Sequence, residues 1–142
     1  MAFASGAGDP WGLLPLVAGA VLLAVEPLPS SRAKGIAMLA VVAAGSLLLP
    51  AADGIAGLFG MLLLAGGLVI ASAGLSHGGD RPLHYPLVAV LLLSVQTLLR
   101  AETGLGFYVA WEFITLSSFF LIAQGRDARP EVLRFLTFSL LA

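Results

Sequence analysis

Long apolar stretches, separated by short breaks rich in proline, glycine or charge, make up almost the whole of this chain. Charged residues account for 11% of it, whereas a soluble domain carries about 25%. A helix needs about 20 apolar residues to cross the roughly 30 Å hydrocarbon core of a bilayer. Five stretches approach or reach that length, over residues 11–25, 33–49, 55–75, 83–99 and 104–124. The pattern predicts an all-α, polytopic transmembrane helix bundle.

A sixth helix is expected to begin at Glu131, because Pro130 is well placed for a helix start. The roughly 12 residues that remain would form about 18 Å of helix, which is too short to cross a bilayer. We therefore expect five full helices plus a truncated sixth, in a single transmembrane domain over residues 1–142. The third stretch carries Gly67, Ala71 and Gly74 at helical spacing, a stripe that favours close helix packing.

The basic residues predict the orientation of the bundle. Of the seven Lys and Arg residues, six lie in or next to the loops after the first, third and fifth stretches, and only Arg100 lies on the other side. The six are Arg32, Lys34, Arg81, Arg126, Arg129 and Arg134. Because cytoplasmic loops carry the excess of Lys and Arg, we expect a multi-pass chain with its N-terminus outside and these three loops in the cytoplasm.

Composition also excludes several function classes. The chain has no cysteine, which rules out disulfides, thiolate metal sites and cysteine nucleophiles. Its net charge is −1 and it has no basic stripe, so nucleic acid is not an expected partner. His77 and His84 flank Asp80 in a pattern that is poor evidence for a metal site. We expect no metal and no cofactor bound by this chain, since no such motif is present.

Glu112 is the leading candidate for a functional residue. It lies on the order of 12 Å into the fifth stretch at the helical rise of 1.5 Å per residue. A carboxylate at that depth costs at least about 2.5–3.5 kcal/mol, and such residues generally face a protein interior or an ion pathway. The position predicts a proton-linked acid, with a structural acid held inside the bundle as the alternative.

Two hydroxyl residues share the face of Glu112. Tyr108 precedes it by four residues and Thr115 follows it by three, so all three side chains project from one side of a helix. This semi-polar stripe could hold water and hydrogen-bond either protonation state of the acid. Burial favours the neutral form and a nearby cation the charged form, so movement of a cation could load and release a proton. No Lys or Arg of the chain falls at this depth, so that cation is expected elsewhere.

Two further charged residues, Glu26 and Arg134, are candidates for a proton path. Glu26 ends the first stretch and is expected to be an interfacial carboxylate in water, with proton entry as the alternative. Arg134 lies one turn into the sixth helix and is expected to reach the cytoplasmic headgroups, with a role in a proton path as the alternative.

Residues 107–125 resemble the fifth transmembrane helix of the antiporter-like subunits of respiratory complex I (NADH-quinone oxidoreductase). Mrp-type cation/proton antiporters and energy-converting membrane hydrogenases share this helix. The pattern is Trp-Glu, a small or hydroxyl residue about five positions on, then Leu-Ile and a polar turn with glycine. Here it is met by Trp111, Glu112, Ser117, Leu121, Ile122 and Gly125. Residues 131–136 are similar to the helix that follows, with Arg134 at its basic position.

The resemblance implies a proton-translocating subunit, or the N-terminal part of one, in a bacterial redox-driven or antiporter complex. In the family the acid of the fifth helix pairs with a lysine on a later helix, and this chain ends before the helices that carry the essential lysines. The implied partners are other membrane subunits, the lipid bilayer, and protons or Na⁺. The alternative is a structural membrane subunit or assembly factor without transport; a small transporter working as an oligomer fits the truncated sixth helix less well.

Overall fold

The computed structural model describes residues 10–27, 30–49, 54–77, 81–125 and 129–141, and within these ranges every regular element is a helix. A short 3-10 helix, Pro10–Leu13, leads into the first α-helix. The α-helices are α1 (Leu14–Val25), α2 (Ser31–Leu48), α3 (Gly54–His77), α4 (His84–Leu98), α5 (Gly104–Ala123) and α6 (Arg129–Leu141). The prediction of an all-α fold with six helical segments is confirmed at this level.

The helix ends follow from local chemistry. The Ser30 hydroxyl accepts a hydrogen bond from the Ala33 N–H at 3.4 Å, and Thr103 accepts one from the Gly106 N–H at 3.0 Å. Each satisfies an N–H that the first turn of a helix leaves unpaired. The boundaries predicted for the second to sixth helices agree with the structure within two residues. In the first helix, Pro15 lies in the first turn, where its missing N–H costs nothing.

The fourth helix, α4, is the centre of the bundle. It packs against α1, α2, α3 and α5, whereas α6 packs on α5. Its residues Ala89 and Leu93 are fully buried. The hydrophobic core joins α1, α2 and α4 and consists of Leu22, Met38, Val42, Tyr85, Val88 and Ala89.

Glycines let three helices approach α4 closely. A Cβ atom built at any of these glycines would lie 2.5–2.8 Å from a methyl carbon on α4, closer than real side chains come. The pairs are Gly19 of α1 with Val90, Gly45 of α2 with Leu93, and Gly67 of α3 with Leu92. Small residues at helix contacts are typical of bundles that pack without a strong hydrophobic driving force. Gly67 thus plays the packing role predicted for its stripe, while the side-chain surroundings of Ala71 and Gly74 lie outside the described residues.

The distribution of polarity is the reverse of that in most soluble domains. Ser94, Gln96, Thr97 and Ser117 are buried, and each donates a hydrogen bond to a backbone carbonyl. Large apolar side chains are exposed on α1, α2, α3, α5 and α6, with examples at Leu16, Leu47, Met61, Leu105 and Phe138, and also at Leu83 just before α4. Monomeric soluble proteins rarely expose contiguous apolar patches above a few hundred Å².

Two of the described helices, α2 and α5, are long and apolar enough to cross a membrane. The apolar segments Trp11–Val25, Gly54–Val69 and His84–Leu98 are shorter. At 1.5 Å per residue, the 15 residues of α4 extend about 22 Å, less than the roughly 30 Å hydrocarbon core. Length and hydropathy therefore establish two candidate spans among the described residues.

Candidate functional site

The candidate site lies on α5, the 20-residue helix that Thr103 caps. One side of this helix packs on the bundle, because Gly106, Ala110 and Ser117 are buried and α5 has its most extensive contacts with α4. At about 100° per residue, Glu112 lies about 160° around the helix from Ala110. The acid therefore projects away from the α4 contact.

Tyr108 and Glu112 are brought together one turn apart on this outward side. The Tyr108 hydroxyl lies close enough to the Glu112 carboxylate for the two groups to interact. Tyr108 is 59% exposed and Glu112 is half-buried. The phenol thus places one potential hydrogen-bond donor beside the carboxylate.

Thr115 lies on the same side of α5, one turn beyond Glu112, and is half-buried. Two aromatic rings lie on the adjoining side of α5: Phe107 and Trp111 stack with ring centroids 6.3 Å apart, and both are about half exposed. The outward side of α5 is therefore an apolar, aromatic surface with one acid and two hydroxyl residues on it. We call this surface the Glu112 face.

Arg134 does not pair with the acid of α5. Its Nη1 lies 3.1 Å from Glu131 Oε1, an ion pair within the first turns of α6, and both side chains are mostly exposed. Within the part of the chain that the structure describes, no Lys or Arg forms an ion pair with Glu112. Tyr108 thus lies beside Glu112, and Thr115 lies nearby on the same side of α5. Arg134, by contrast, pairs with Glu131.

Glu26 has structural contacts that the sequence did not reveal. Its Oε1 accepts a hydrogen bond from the Leu83 N–H at 3.2 Å and lies 3.6 Å from Lys34 Nζ, and its side chain is 23% exposed. The carboxylate therefore ties the end of α1 to the starts of α2 and α4. The proximity of Lys34 in sequence hinted at the ion pair, but nothing in the sequence indicated the contact with Leu83.

Gln124 makes a second tie at the same end of the bundle. Its Nε2 donates a hydrogen bond to the Pro82 carbonyl oxygen at 2.9 Å. That carbonyl lacks the usual helical partner four residues on, because Pro86 has no N–H. The Oε1 of Gln124 is buried and has no donor among the described residues.

A polar network at the opposite end of α4 holds α3 in place. The buried Gln96 donates from Nε2 to the Gly60 carbonyl oxygen at 2.6 Å, and its own Oε1 accepts from Arg100 Nη1 at 2.6 Å. The guanidinium also donates to the Gln96 carbonyl oxygen at 2.9 Å. The sequence prediction assigned Gln96 no role, because one amide in an apolar run carries no pattern.

No family model matches this sequence, and no curated protein or solved structure matches it either.

Proposed function

We propose that this chain is an antiporter-like, proton-translocating membrane subunit, or the N-terminal part of one, in a redox-driven complex of a bacterial inner membrane. The observation that carries the proposal is the Tyr108–Glu112 pair on the outward side of a helix long enough to cross a bilayer. A carboxylate at mid-membrane depth is costly and is generally retained for ion or proton movement.

A multi-pass membrane location is supported by the exposed apolar side chains found on the five helices that surround the central α4. The buried hydroxyls and the Gln96 amide, by contrast, find backbone partners inside the bundle. Lipid offers no hydrogen bonds, so polar groups must be satisfied internally. The helices shorter than a bilayer core are accommodated by local thinning of the membrane or by the loop residues at their ends.

The outward direction of Glu112 requires a partner beyond the described residues. A carboxylate that faces lipid is costly, so a polar or cationic group of another helix is expected to cover it. The family resemblance implies a lysine on a neighbouring helix. When this lysine approaches Glu112, it would favour the charged carboxylate; when the lysine withdraws, the protonated acid would be favoured. Tyr108 and Thr115 would hydrogen-bond the water that carries the proton to and from the carboxyl group.

The driving reaction lies in partner subunits of a complex such as NADH-quinone oxidoreductase or a membrane hydrogenase, and the transported ion is the proton, with Na⁺ as the alternative.

The test is Glu112→Gln, which keeps the size and hydrogen bonding of the side chain but cannot release a proton. We expect proton uptake by inverted membrane vesicles, per assembled complex, to fall at least about tenfold. The control is Glu102→Gln, an exposed loop acid, which should leave uptake unchanged.

A structural membrane subunit without transport is the second candidate. The stacked pair Phe107 and Trp111 favours it, because aromatic side chains are enriched at protein interfaces and this pair gives the Glu112 face a packing surface. This role predicts that Glu112→Gln lowers the amount of assembled complex while uptake per complex stays intact. Quantifying both assembly and uptake therefore separates the two functions.

A further inference from the structure

An apolar groove of about 560 Å³ lies between α1, α4 and α5. Its wall is formed by α1 from Leu16 to Leu23, the N-terminal half of α4 with the two residues before it, and the last turn of α5. Its volume is within the range of roughly 300–1,000 Å³ that is usual for small-molecule sites. It is distinct from the Glu112 face, because Phe120, Ala123 and Gln124 are the residues of α5 that reach it.

The polar end of the groove lies at Pro82, Leu83 and Gln124. These are the residues that the Glu26 and Gln124 hydrogen bonds tie together, so the groove ends against a fixed polar layer. By the distribution of basic residues this is the cytoplasmic end of the bundle. The apolar part of the groove would then open into the inner half of the bilayer.

Charge at that end is positive among the described residues. Arg32, Lys34 and Arg81 lie in or next to the two connections there, and Glu26, already paired with Lys34, is the acid among them. Arg81 is exposed and directly precedes Pro82 at the groove's polar end. An occupant with a long apolar chain and an anionic head complements both parts of the site, and basic pockets on the cytoplasmic side favour anionic headgroups.

We propose that this groove binds one anionic phospholipid from the inner leaflet, with an acyl chain along α1, α4 and α5 and its phosphate beside Arg81. The lipid covers apolar surface that the protein's own helices leave open. It also stabilises the packing of three helices at the end where Glu26 and Gln124 connect them. The inference rests on the membrane location proposed above and is independent of proton transfer at Glu112.

The test is native mass spectrometry of the full chain, with any subunits that copurify, in a mild detergent containing equal amounts of phosphatidylglycerol and phosphatidylcholine. We expect one retained lipid, chiefly phosphatidylglycerol. Ala20→Trp and Ala123→Trp fill the groove from two different helices at exposed positions and should each remove the adduct. Ala40→Trp, at an exposed position of α2, which does not line the groove, should keep it.

The headgroup is tested by Arg81→Gln, which should retain an adduct but lower the preference for phosphatidylglycerol by about fivefold. An adduct that survives both filling variants, or that shows no preference for the anionic lipid, would overturn the proposal, as would a peptide chain found in the groove by cross-linking from Ala123. Recovery of each variant in alkali-washed membranes is measured in parallel. Loss of all variants from that fraction would count against the membrane location itself and not against the groove alone.

Discussion

Leu83 has a backbone conformation that its side chain disfavours. Its φ of 63° lies in the left-handed region, the only such value for a non-glycine residue in the described ranges. That conformation costs roughly 1–2 kcal/mol for a residue with a Cβ atom. Leu83 is also the N-cap of α4 and offers no side-chain cap of its own. The Glu26 carboxylate, 57 residues away, accepts its N–H and stabilises the start of the central helix.

At this position we expect Glu26→Ala to lower the free energy of unfolding by about 1 kcal/mol, the usual loss when a helix start loses its cap. The measurement is denaturation of the purified protein by increasing dodecyl sulfate in mixed micelles, followed by circular dichroism. Glu131→Ala is the matched control, because it removes an exposed ion pair with Arg134 and should cost well under 1 kcal/mol. Equal losses in the two variants would show that the Leu83 contact contributes nothing.

The functional importance of a single residue could be predicted from the sequence only where a charged side chain falls in the middle of a long apolar segment. Glu112 stands out because its neighbours along the chain are apolar, and its proximity to Tyr108 follows from helical spacing. Glu26 does not stand out, since an acid at a helix end is ordinarily solvated. Its contact with Leu83 depends on how α1 and α4 meet, which no local pattern encodes.

Between elements, the approach of α3 to α4 depends on Gly67. A Cβ atom there would lie 2.5 and 2.7 Å from the two methyl carbons of Leu92. Gly67→Ala therefore forces Leu92 to move, and overpacking of this kind costs about 1–3 kcal/mol. Gly66, the preceding residue, faces open space, so Gly66→Ala should be neutral or slightly stabilising because Ala favours helix.

The comparison of Gly66→Ala with Gly67→Ala uses the same denaturation assay, with the midpoint as the readout. Both variants add one methyl group to the same turn of α3, so a difference between them reports packing rather than helix propensity. If both variants unfold at the wild-type midpoint, Leu92 adjusts freely and the α3–α4 contact is looser than the structure indicates.

Helix positions were predictable because apolar runs, prolines and capping residues mark them, as Ser30 and Thr103 do for α2 and α5. The rotation of each helix about its own axis could not be predicted in this way. The stripe of Tyr108, Glu112 and Thr115 on α5 suits a polar contact inside the bundle as well as a partner outside it, so the sequence does not indicate which side faces α4. That Glu112 points away from α4 follows from the packing of Gly106 and Ala110, which the three-dimensional arrangement alone reveals.

For the whole molecule, the number of helices that cross the membrane determines which connections share a side. By length and hydropathy α2 and α5 could cross, and the sequence predicted that α1, α3 and α4 cross as well. The two arrangements place the connection between α3 and α4 differently. If five helices cross, Arg81 lies on the same side as Pro27; if only α2 and α5 cross, Arg81 lies on the same side as Glu102.

Because the chain has no cysteine, single cysteines can be introduced without background. Pro27→Cys, Arg81→Cys and Glu102→Cys each replace an exposed residue in a connection between helices. With a membrane-impermeant maleimide added to intact cells, we expect Glu102→Cys to be labelled and the other two only after permeabilisation, because the excess of Lys and Arg predicts that the basic loops lie in the cytoplasm. Labelling of Arg81→Cys together with Glu102→Cys would instead mean that α3 and α4 do not cross. The basic end of the α1–α4–α5 groove would then be divided between two sides of the membrane, so the lipid proposal would fall with the five-span arrangement.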